Sequence, residues 1–106
     1  KFPALLLIIV LGVMGPVAEE VVFRLAPISL TEKKSKMMIV VLVTAILFML
    51  VHIHVFTVEE FLYNLPHFVT GLVYGIVMVL SRNVTIPILL HIMNNLPAMV
   101  VATLFL

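Results

Sequence analysis

Residues 37–56 read MMIVVLVTAILFMLVHIHVF, a stretch with no Asp, Glu, Lys or Arg. At about 1.5 Å per residue, a helix of that length reaches about 30 Å, the thickness of a bilayer's hydrocarbon core. The stretch does not alternate apolar with polar residues as a barrel strand would. Backbone groups in lipid must be paired within the segment, so a helix is the reading that fits. Working outward, three further apolar runs extend from Phe2 to Leu30, from Phe61 to Leu80 and from Thr85 to Leu106. The pattern predicts an all-α transmembrane bundle of four helices, with residues 1–106 forming a single domain.

Composition agrees. The chain is 64% hydrophobic and 10% charged, against about 45–50% and about 25% in soluble domains. Its mean hydropathy is +1.35. A net charge of +1 without a basic stripe gives no surface for nucleic acid. The absence of Cys removes disulfides, thiolate metal sites and thiol nucleophiles. Lys1 to Met14 has the charge and apolar core of a signal peptide, but it runs into Glu19 and Glu20 without a small-residue cleavage site. Both ends fall within apolar runs, so the chain is expected to be the truncated core of a larger membrane protein.

The connections are short. TEKKSK (31–36) and SRNV (81–84) are basic, and TVEE (57–60) is acidic. In an up-and-down bundle the two basic loops share one side, which the positive-inside rule makes cytoplasmic, in a multi-pass protein of the cell membrane. Asn83-Val84-Thr85 fits a glycosylation pattern, but in so short a cytoplasmic loop it reads as an unused match. Pro16 is expected to kink the first segment just before Glu19, after Gly12 and Gly15. Pro27 is expected to end or bend it again, and Pro66 and Pro97 to do the same in the third and fourth.

The ionisable residues within these runs carry the functional signal. A charged group at bilayer depth costs on the order of 2.5–3.5 kcal/mol on insertion scales and usually faces a site or a partner. Glu20 and Arg24 are four apart on one helix face, so they form an ion pair. Glu19 is rotated about 100° away and lacks that partner. A carboxylate so placed can act as base or acid. Phe48 and His52 share a face, as do His91 and Asn95. Each set has an ordinary reading beside the catalytic one: headgroup-solvated charges, a hydrogen-bonded histidine, or helix glue. His54 reads as interfacial, and His67, one turn after Tyr63, as packing or interfacial. Asn94 is given no role. Gly71 and Gly75 form a GxxxG that predicts close helix packing. The seven Met residues read as lipid-facing or core filler.

Taken in order, Glu19-Glu20-x-x-x-Arg24, Phe48-x-x-x-His52 and His91-x-x-x-Asn95 resemble the motifs of the CAAX protease and bacteriocin-processing (CPBP, or Abi) family, which includes type II CAAX prenyl endopeptidases. The Gly-rich third segment and TIPILLH (85–91) add to the resemblance, which covers essentially the whole chain. Two features depart from the family: Leu25 stands where many members have Gly, and the additional helices that members carry are missing. The resemblance implies an intramembrane endopeptidase acting on a membrane-associated or lipidated peptide. Glu19 and His52 would activate a water, His91 and Asn95 would stabilise the oxyanion, and Glu20 with Arg24 would orient the first helix. No cofactor is expected. The disfavoured alternative is a divalent metal such as zinc on Glu19, His52 and His91. Beside the peptidase stand a bacteriocin self-immunity protein, acting by binding or by proteolysis, and, last, a proton or ion pathway, because the polar groups cluster rather than cross the membrane.

Overall fold

A computed structural model of the chain describes residues 3–105. Four helices account for the fold: α1 Ala4–Ser29, α2 Lys34–Leu50, α3 Val58–Ser81 and α4 Thr85–Phe105. No strand occurs among the described residues. The expected outer limits Phe2 and Leu106 lie outside the described residues. The bundle is a flattened slab, 49 × 33 × 16 Å. Leu5, Met14, Val22, Leu42, Leu62 and Leu104 are among the large apolar side chains it leaves open. Outward apolar surface of that extent suits lipid rather than water.

Three of the four helices, α1, α3 and α4, are long and apolar enough to cross a membrane. The second segment departs from expectation. It ends at Leu50 rather than Phe56, and α2 has 17 residues. The helix stops because its last carbonyls find other partners. His52 N–H and Ile53 N–H donate to Met49 and Leu50 in tight turns, and the His52 ring bonds the Phe48 carbonyl at 2.7 Å. The chain then crosses an open connection and restarts at Thr57, whose hydroxyl accepts the Glu60 N–H at 3.1 Å. Thr57-x-x-Glu60 is thus an N-terminal cap, and Glu59 and Glu60 sit where the helix dipole favours negative charge.

Pro27, Pro66 and Pro97 do not end their helices, one of the two outcomes expected of them. In α1, two π-helical turns, Val10–Met14 and Val21–Leu25, each precede a proline by one residue. Gly15 N–H bonds Val10 and Ala26 N–H bonds Val21, each five residues back. The wider turn gives room to a ring that would press on the carbonyl four residues back. α1 therefore runs through Pro16 and Pro27 and ends at Ser29. α3 and α4 likewise run through Pro66 and Pro97. In the last connection Arg82 takes a left-handed conformation, φ 54°, to close α3. Asn83 accepts the Thr85 N–H at 3.0 Å, an ordinary turn role for that side chain.

Helix contacts are set by small residues. A Cβ on Gly75 would lie 2.7 Å from Val41 Cγ1, and one on Gly71 would lie 3.1 Å from the Ala45 Cα. α2 and α3 therefore meet almost backbone to backbone. A Cβ on Gly12 would lie 2.7 Å from Leu96 Cδ1, which seats α4 against α1. Near the basic connections Ile28, Val41 and Met78 form an apolar core with Leu25, Val40, Leu72, Val79 and Val84 around it. Beyond Val41, α2 carries the bundle from that core toward a polar centre.

Candidate active site

The polar centre is assembled from α1, α3, α4 and the turn that follows α2. Glu20 and Arg24 on α1 are both 0% exposed. Arg24 Nε lies 3.4 Å from Glu20 Oε1. The guanidinium is also set over the Phe48 ring, 4.6 Å from its centroid, and over Tyr74 at 5.5 Å. A cation with so little water needs such faces as well as its carboxylate. The Gly71 face, free of a Cβ, leaves the space that Arg24 Nη2 approaches.

Glu20 does more than pair with Arg24. Its Oε2 lies 2.7 Å from His91 Nδ1 on α4, so that nitrogen donates to the carboxylate. The opposite ring nitrogen, Nε2, lies 3.3 Å from Glu19 Oε1. The other oxygen of Glu19 lies 3.7 Å from His52 Nε2. His52 Nδ1–H donates to the Phe48 carbonyl, which leaves Nε2 as the acceptor turned toward Glu19. One carboxylate thus faces two imidazoles on other segments. The side chains of Glu19 and His52 are 33% and 27% exposed while that of His91 is 5% exposed, so the first two form the open edge of the cluster.

Glu19, His52 and His91 border one cavity of about 110 Å³ that His67, Tyr74 and Asn95 also line. At about 30 Å³ per water, that is room for a few molecules. Asn95 is reached by Asn94, whose amide donates to Asn95 Oδ1 at 3.4 Å and leaves the Asn95 NH2 free to donate in turn. Among the described residues, no three His, Cys, Asp or Glu side chains are arranged to hold a metal ion.

Three contributors, His67, Tyr74 and Asn94, carry no site role in the sequence reading, and Phe48 enters it only beside His52. His67 is stacked on His52, 3.9 Å between centroids at 16°, so its packing is against a candidate site residue. Tyr74 stacks on His91 at 5.1 Å. Asn94, given no role, lines the cavity. Phe48 is the hub, with its ring 4.8 Å from His52, 5.9 Å from His67, 5.9 Å from His91 and 5.3 Å from Phe23. The available signal was spacing: His67, Gly71, Tyr74 and Gly75 fall on one face of α3, so whatever the glycines approach, the two rings approach as well.

The fold is thus an all-helical membrane bundle that brings a carboxylate, imidazoles and amides to the wall of one cavity. Residues 1–97 match the family described as Rce1-like, type II CAAX prenyl endopeptidase, and the chain belongs to that family. At the family level it is a CAAX-type intramembrane protease. No curated protein and no solved structure matches the chain.

Proposed function

We propose that this protein is an endopeptidase that hydrolyses a peptide bond of a membrane-associated or lipidated peptide through a water activated by Glu19 and His52. The observation that carries the reading is the Glu19 carboxylate set between His52 Nε2 at 3.7 Å and His91 Nε2 at 3.3 Å, on the wall of a cavity that Asn95 shares. A water held by Glu19 and His52 gives its proton to the carboxylate as its oxygen attacks the scissile carbonyl. The carbonyl oxygen takes up the negative charge. His91, when its Nε2 bears a proton, and the Asn95 amide donate to that oxygen. Collapse of the tetrahedral adduct breaks the C–N bond, and the leaving amine takes the proton from Glu19. Glu20 serves this scheme by holding His91 through Nδ1, beyond its pairing with Arg24.

The zinc alternative uses Glu19, His52 and His91. Imidazoles with Nδ1 tied back and Nε2 presented are also how zinc ligands are oriented. The scheme without metal is preferred because Asn95, rather than a second His, stands one turn after His91 on α4. A chelated preparation in bilayers, its metal content measured, should cleave a prenylated CAAX peptide at the untreated rate, and Glu19→Ala should abolish cleavage. Loss on chelation with recovery on zinc addition would instead support the metal site. Protection of cells from a bacteriocin that survives Glu19→Ala would favour an immunity role by binding.

A further inference from the structure

Gly75, Gly71 and His67 recur every four residues on α3, and Val41, Ala45 and Phe48 run the opposite way along α2 toward His52, just past its end. The glycines close the seam against Val41 and Ala45. One turn further, the same seam lays the His67 ring on His52, nearly parallel at 16° and 3.9 Å. His67 also meets the edge of Phe48 at 5.9 Å and lines the cavity. His52 has need of such support. It lies past the last turn of α2, where the helical ladder has ended, and its side chain is 27% exposed. The bond from Nδ1 to the Phe48 carbonyl fixes one ring atom but leaves the ring able to swing about it. A flat partner on its face removes that swing.

We propose that His67 is a positioning residue whose ring face holds the His52 imidazole in the plane that aims Nε2 at Glu19. The proposal rests on the reading of His52 as part of the hydrolytic site, and the site motifs above do not include His67. It acts through its face rather than its nitrogens, so His67→Phe should serve and His67→Leu, of similar bulk but not flat, should not.

The test uses the full chain in lipid nanodiscs with ¹⁵N-labelled histidine. Wild type and His67→Phe should each give one Nδ1–H tautomer for His52, and His67→Leu should give averaged ring signals. With a prenylated CAAX peptide, kcat of His67→Leu should fall about tenfold or more with KM within about twofold, and His67→Phe should stay within about threefold of wild type. A wild-type His52 spectrum and rate in His67→Leu overturns the proposal, and so does a His67→Phe as impaired as His67→Leu. If wild type cleaves nothing, the hydrolytic reading fails, and the spectra still decide the stack.

Discussion

At the residue scale, the site is a set of unequal histidines. His52 is tied to a backbone carbonyl and His91 to a buried carboxylate, so each keeps Nε2 for Glu19. Asn95, with its oxygen engaged by Asn94, is left to donate. Asn95→Ala should therefore lower kcat by about 10²–10³ while the protein still folds, as loss of an oxyanion donor does elsewhere. Kinetics beside a thermal melt check this, and a near-wild-type rate would remove Asn95 from the site. Glu19, Glu20, Arg24, His52 and His91 stood out in the sequence because each is ionisable at bilayer depth, and Asn95 because it lies one turn after His91. The His91–Glu20 bond was not legible. Spacing along one helix reports an i, i+4 partner such as Arg24, and no local pattern reports a partner 71 residues away.

At the element scale, the GxxxG of α3 governs where the site's parts meet. Gly75→Ala would drive a methyl into Val41, a stiff β-branched side chain. The variant should lose about 1–3 kcal/mol from overpacking, and adding Val41→Ala should restore much of it. Unfolding of the two variants in detergent measures this, and an unchanged Gly75→Ala would mean that α2 and α3 are not so close. The four helices could be read from hydropathy alone. The early stop of α2 at Leu50 could not, because the residues beyond it remain apolar. What ends that helix is the His52 ring on the Phe48 carbonyl, a side-chain choice that hydropathy does not weigh. The π turns of α1 were not legible for a related reason: such a turn absorbs a proline ring without ending the helix, and sequence marks the ring but not the turn.

At the scale of the whole molecule, a thin slab turns apolar side chains outward around a polar cluster to which all four segments contribute. Lys34 and Arg82, from the first and third connections, border one shared groove, so those connections lie at the same end. With no Cys in the chain, single cysteines at Ser35, Ser81 and Val55 provide a clean topology assay. Membrane-impermeant thiol reagents on intact cells should label Val55→Cys and spare Ser35→Cys and Ser81→Cys, and the reverse pattern would place the basic connections outside. The most direct test of the central claim, that groups from separate helices act as one hydrolytic unit, is a kinetic cycle in bilayers. We predict that Glu19→Gln and His52→Ala each lower kcat by about 10³ or more and that the double variant is no slower than the slower single, as parts of one unit behave. Losses that multiply, or either single variant at the wild-type rate, would contradict it.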